Sequence, residues 1–179
     1  SRAAGLGAHL VEAATARYGK PLAGAAGVLL LVSALALLFS GSKLEAAIQE
    51  VETAPASQKQ EKIDAATRLI DALKDPAEAG YFKGRLEEAQ GDPGSASFRY
   101  REAAKAGSSE ALTRLVGLLE HPKCRVRAYA AESLGELKAK GARGKLEELA
   151  EKGGPGENDI PLIGCSSKAR AREALKRLR

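Results

Sequence analysis

Residues able to do chemistry are few in this chain. Its thiols are Cys124 and Cys165, and its imidazoles are His9 and His121. A nucleophile pair of Cys124 with His121 would straddle the Pro122 turn with no third group to orient the imidazole, which argues against thiolate catalysis. Bound metal needs several close ligands, and these four residues are scattered over three segments. The acidic pairs Glu87-Glu88, Glu147-Glu148 and Glu157/Asp159 read as solvated helix faces or loop, not as acid–base couples. No glycine loop is followed by the Lys-Ser or Lys-Thr that a phosphate cradle needs. The expectation is therefore no catalytic residue, no metal, no cofactor and no small-molecule substrate.

Charge narrows the partners further. The net charge is +5, and the excess gathers at Lys168, Arg170, Arg172, Lys176, Arg177 and Arg179 against a lone Glu173. Cations are favoured at a helix C-terminus, and a solvated helix face explains them. They lack the interleaved aromatics on which bases stack, so nucleic acid is not expected.

The elements that would position any site begin with an uncharged run, Pro21 to Ser42, bracketed by Lys20 and Lys43. A bilayer is crossed by roughly 20 apolar residues in a helix, so the run is expected to be a single transmembrane helix, 21–42. A cleaved signal peptide is the rival reading, disfavoured by the length of the apolar stretch and by the poor cleavage match at Phe39-Ser40-Gly41-Ser42. Ser1 to Lys20 forms a juxtamembrane segment. Arg2, Arg17 and Lys20 precede the run and only Lys43 and Lys59 follow closely, which places the N-terminus in the cytoplasm and the arm outside. Ala23 and Gly27 form a small-xxx-small pair, a candidate contact for a homodimer through the span. The chain starts at Ser1 with no Met, so either the initiator was removed or this is a piece of something longer.

After the run the sequence is Ala-rich and aromatic-poor, which favours closely packed helices over a sheet. Ser42-x-x-Glu45 is a capping box that opens a short helix with Leu44, Ile48 and Val51 on one face. TAPASQKQ, 53–60, is expected to be a loop, and a second helix is expected from about Glu61 to Lys74. Asp75-Pro76 ends it, with Pro suited to the next helix's first turn.

From Ala77 the pattern resembles a tetratricopeptide repeat. Gly84 stands at the first-helix glycine, Gln90-Gly91-Asp92 at the turn, and Ala96, Tyr100 and Ala103 at the second-helix positions. Lys83 and Glu87 depart from the family pattern, and only one such repeat is clear. From Ser109 the pattern resembles short bacterial HEAT-type repeats. Leu112, Leu115, Val116, Leu118 and Leu119 make the first helix apolar, His121-Pro122 turns the chain, and Val126, Ala130, Ala131, Leu134 and Gly135 match the second helix. A second copy lies 41 residues on, where Cys165 falls on Cys124, Ala171 on Ala130 and Leu178 on Leu137. Ser167 replaces Val126, and GGPGENDIPLIG lengthens the loop. Matched positions on stacked helices lie roughly 8–10 Å apart, beyond the ~7 Å a disulfide spans. The two cysteines are therefore expected as buried small residues, with a bridge favoured more in an oxidising compartment.

These resemblances imply an all-α fold, a transmembrane helix followed by a short right-handed α-solenoid of about four helix pairs. The pairs fall at about 43–74, 77–106, 109–139 and 142–179. The domains are 43–107, a helical hairpin plus tetratricopeptide-like repeat, and 108–179, two HEAT-like repeats. The implied function is a membrane-anchored helical-repeat module at the bacterial inner membrane that binds another protein or peptide. The second helices of the pairs would supply the surface, with Tyr100, Arg125, Arg127, Tyr129 and Arg172 as exposed or half-exposed contact residues. The layout also resembles the C-terminal part of a bacterial receptor-type Ser/Thr protein kinase, which would make the arm a sensor and put the enzyme upstream; no kinase motif is present here. Short HEAT-type repeats resemble those of bilin lyases as well, though nothing here supplies lyase chemistry.

Overall fold

The computed structural model describes residues 43–158 and 164–179. The chain divides into two units, Ser1–Lys43 and Leu44–Arg179, and apart from Lys43 at the start of the first helix all that follows concerns the second. Among the described residues there are eight α-helices: α1 (43–53), α2 (Ala56–Asp71), α3 (Pro76–Ala89), α4 (Pro93–Lys105), α5 (Ser109–Leu118), α6 (Cys124–Glu136), α7 (Arg143–Lys152) and α8 (Ser167–Arg177). A single 3-10 turn, Lys140–Ala142, leads into α7.

Local chemistry sets most of these boundaries. Asp75 accepts from Ala77 N at the head of α3, and Asp92 accepts from Ser95 N at the head of α4, each followed by Pro at the first helical position. Ser108 and Ser166 cap α5 and α8 in the same way, through Ala111 N and Ala169 N. Such side chains satisfy amides that have no partner inside the helix. Gly91 (φ +87°) and Gly107 (φ +108°) take the left-handed conformation that stops α3 and α4 at little steric cost.

The helices pack in antiparallel pairs, consistent with a generic helical-repeat arrangement. The second members of the last three pairs form a row, α4 on α6 and α6 on α8. Two apolar cores result. One gathers Leu44, Ile48, Val51, Ile70, Phe82 and Leu86 from α1, α2 and α3. The other gathers Leu115, Leu118, Ala130, Leu134, Leu146 and Ala171 from α5 to α8, with Tyr100 and Ala103 of α4. Tyr81 packs against both. Small residues let the helices approach: a Cβ built on Gly135 would lie 2.8 Å from Ala174 Cα on α8.

The structure corrects the expected fold class in one respect. Among the described residues no helix is long and apolar enough to cross a membrane. The longest, α2, has 16 residues, is studded with charges, and falls short of the roughly 20 apolar residues a crossing needs. The run expected to span, 21–42, lies outside the described residues, as do segment 1–20 and the pair Ala23 and Gly27. The membrane-anchored function, the sensor portion of a transmembrane kinase, the membrane as partner and the single-pass inner-membrane location all rested on that span, and they are withdrawn with it. The second helix also starts earlier than expected, at Ala56, because Ser57, Gln58 and Lys59 join the helical run and only Ala54-Pro55 breaks the chain.

The cysteines also differ from the expected pair of buried small residues. Cys124 and Cys165 form a disulfide, with Cα atoms 6.1 Å apart. The expected spacing assumed both residues sit on stacked helices. Cys124 opens α6, but Cys165 precedes α8 and its capping Ser166, in backbone that pairs with Asn158 (Asn158 N to Cys165 O, 2.8 Å). That bridge folds the loop back over the start of α6 and brings the sulfurs together.

Candidate functional site

Two of the five expected contact residues are interior. Tyr100 is 0 % exposed. Its ring fills the space above Gly84, where a Cβ would come within 2.9 Å of Cζ and closer still to Cε1 and Cδ1. Its hydroxyl donates to Glu88 at 2.5 Å, and burial, reinforced by that carboxylate, pushes the phenol far above its ordinary pKa. Glu88 also faces Arg85 at 3.8 Å and Arg114 at 3.9 Å, so its charge is answered.

Arg127 is 2 % exposed. Its guanidinium donates to Ser167 Oγ (3.1 Å), the carbonyls of His121 (2.8 Å), Pro122 (2.9 Å) and Pro155 (2.7 Å), and Glu157 Oε1 (3.1 Å). A guanidinium has five N–H donors, and five acceptors meet it. Gly154 passes so close that a Cβ there would lie 2.7 Å from Arg127 Cζ. Glu157 Oε2 accepts from Ser167 N at 3.0 Å, and Ser167 Oγ bonds Glu157 Oε1. Burial works to raise the Glu157 pKa, yet the bonds from Ser167 and Arg127 outweigh it and hold the carboxyl below its ordinary value. Arg127 thus clamps the loop between α7 and α8 against the turn before α6. The expectation placed both at the surface because the second helices were to line the binding face; here a glycine and a ring of carbonyls draw each one in.

The other three lie at the surface: Arg125 and Arg172 are exposed and Tyr129 is half-buried. On α6, residues Arg125, Tyr129, Glu132 and Glu136 recur at helical spacing and line the side left uncovered between α4 and α8. Arg101 on α4 reaches Glu136 at 2.9 Å. From α8, Arg170 reaches Glu132 and Arg177 reaches Glu136, both at 4.0 Å. Across most of this face, then, each cation meets a carboxylate on the next helix.

The α4–α6 end differs. Phe98 is 43 % exposed. Its ring lies 5.3 Å from that of Tyr129, tilted by 47°, with the Arg101 guanidinium carbon 5.3 Å from the Phe98 centroid. Gly94 in the first turn of α4 leaves room for the Tyr129 ring, 3.7 Å from where its Cβ would be. Arg125, one turn before Tyr129, has no ion pair among the described residues. Phe98 and Arg101 were missed in the sequence, although a signal exists: Ala96, Tyr100 and Ala103 make the inward stripe of α4, which points Phe98 away from it. Arg172 lies on the opposite side of Ala171 from Arg170 and does not join this face.

A cleft of about 270 Å³ among α2, α3 and α4 has its cations answered at once: Lys83 meets Asp71 at 3.2 Å and Arg99 meets Glu87 at 3.6 Å. Among the described residues no group of His, Cys, Asp or Glu is placed to hold a metal ion. No protein family, curated protein or solved structure matches the chain.

Proposed function

We propose that the Leu44–Arg179 unit is a non-catalytic helical-repeat module that binds another protein through the outward face of its second helices. The observation that carries this reading is the Phe98–Tyr129 pair, an aromatic cluster left open on a face where Arg101, Arg170 and Arg177 are each tied to a carboxylate on the neighbouring helix. Aromatic and Arg side chains dominate the energetics of protein interfaces because they bury large area for few rotatable bonds.

The finer assignment, one tetratricopeptide-like pair (α3–α4) followed by HEAT-like pairs (α5–α6 and α7–α8), belongs to the same proposal. It is supported by Gly84 beneath Tyr100 at one crossing and Gly135 against Ala174 at another. Stacked units of this kind leave one face of each second helix uncovered, which is where repeat arrays dock their partners.

Photo-crosslinking tests the reading. A benzoyl-phenylalanine placed at 98 in the full chain, expressed in its own cells, is expected to capture a discrete protein band. The same probe at exposed Glu151 on α7 serves as the control. Equal bands from the two positions, or none from 98, would reject the face.

A further inference from the structure

We infer that the open end of this face takes an acidic peptide segment, one that presents an aromatic or aliphatic side chain next to one or two carboxylates. The inference rests on the reading just given and names the partner's chemistry.

The reasoning starts from charge. On the second-helix row, Arg101 is held by Glu136, Arg170 by Glu132, and Arg177 by Glu136 and Glu173. Asp92, at the head of α4, is turned into its own cap and accepts from both Ser95 N (3.0 Å) and Ser95 Oγ (2.6 Å). These bonds hold the Asp92 carboxyl below its ordinary pKa, with Lys123 adding a smaller pull. Arg125 is left exposed with no carboxylate among the described residues. The helix that carries it adds to the field: α6 begins at Cys124 without a side-chain cap, so the positive end of its dipole stands beside Arg125. An incoming carboxylate would meet a planar guanidinium suited to two parallel hydrogen bonds.

Apolar surface supplies the second half. Phe98 is open and Tyr129 half-open, and Arg101 over the Phe98 ring is pinned by Glu136, so the ring pair is already set before anything binds. Arg125 and Tyr129 are four residues apart on one helix and share its surface. A ligand that fills the ring pair therefore has a cation within one helical turn.

The same features disfavour a nucleic acid. A phosphate backbone needs a continuous track of cations, whereas Glu132 and Glu136 interrupt the positive charge one and two turns beyond Tyr129. A local carboxylate fits what a polyanion does not.

The test is a random-peptide phage selection on the full chain. Three baits are used: the native protein, Phe98→Ala and Arg125→Glu, the two changes being at exposed positions. Native bait is expected to enrich peptides with Asp or Glu within a few residues of an aromatic or aliphatic residue. By fluorescence anisotropy, the best such peptide should bind Phe98→Ala and Arg125→Glu each about tenfold more weakly, and a copy with its carboxylates changed to Lys should recover on Arg125→Glu. Peptides without acidic bias, or affinity unchanged by Arg125→Glu while Phe98→Ala still weakens it, would overturn this inference and leave the face standing. Indifference to both changes, or no enrichment at all, would overturn the inference and the face together. A labelled 12-nucleotide poly(U) that binds more tightly than the peptide and is lost on Arg125→Glu would reassign the site to nucleic acid.

Discussion

Arg127 Nη2 lies 3.1 Å from Glu157 Oε1, an ion pair in which the guanidinium side chain is 2 % exposed and the carboxylate side chain 19 %. The two residues come from α6 and from the loop between α7 and α8, so the pair ties the last helix pair to the one before it. Removing one partner of a buried pair strands the other and costs more than the pair itself contributes. Arg127→Met would leave three backbone carbonyls without their donor and Glu157 without its cation, with only its bonds from Ser167 remaining. The expected loss is about 3–5 kcal/mol, read as a fall in the urea midpoint with an unchanged slope. A midpoint equal to the native one would show that the network adds no stability.

Glu157 makes the same clamp sensitive to acid. Its folded pKa is depressed from an ordinary 4.5, since the bonds from Ser167 and Arg127 outweigh the burial that opposes them. A carboxyl depressed in the folded state contributes stability that is full above its unfolded pKa and is lost as pH falls through the folded value. Stability measured from pH 7 to pH 3 should hold down to the ordinary carboxylate range and then decline. Glu157→Gln should be less stable at pH 7 and show a shallower decline in acid. Parallel curves for the two proteins would assign the acid response to other carboxylates.

The disulfide acts on the same loop by a different route. Cys124–Cys165 closes a 41-residue loop, for which chain-entropy arguments give about 4 kcal/mol of constraint on the unfolded chain. Because the Arg127 hydrogen bonds and the α6–α8 apolar contacts are made by atoms other than the two sulfurs, the double change Cys124→Ala, Cys165→Ala should lower the urea midpoint yet keep the helical circular-dichroism signal. Loss of that signal at low urea would mean that the covalent link, not the clamp, holds the last pair.

Gly84 and Tyr100 offer a packing test. A methyl group at 84 would overlap the Tyr100 ring, and overpacking of this kind costs typically 1–3 kcal/mol. Gly84→Ala should therefore destabilise although alanine is the better helix former. Tyr100→Phe removes only the hydroxyl that bonds Glu88 and should cost about 1 kcal/mol. A stabilised Gly84→Ala would mean that α3 and α4 are free to move apart.

How far the sequence could be read differs by level. Turn and cap residues act locally, so Asp75-Pro76, Gly91-Asp92-Pro93 and Gly107-Ser108 mark helix ends by their own hydrogen bonds and φ preferences. Apolar spacing then made an all-α chain of antiparallel helix pairs legible. Orientation of single polar or aromatic side chains was not. Tyr100 turned inward because Gly84 on another helix leaves room for its ring, and Arg127 because carbonyls from two loops converge on it. Phe98 stayed half open, with the Tyr129 ring and the Arg101 guanidinium against it, on the side of α4 away from Ala96, Tyr100 and Ala103. The bridge between Cys124 and Cys165 depended on a loop folding back through Asn158, a contact that spacing along the chain cannot express. A hydropathy run such as 21–42 records only what a segment avoids, whereas the described helices, none long and apolar enough to cross a membrane, were decided by what each one packs against. Local bonding and periodicity by themselves determined the helices; only the tertiary structure decided which residues the helices hide, because burial belongs to the neighbours that surround a side chain.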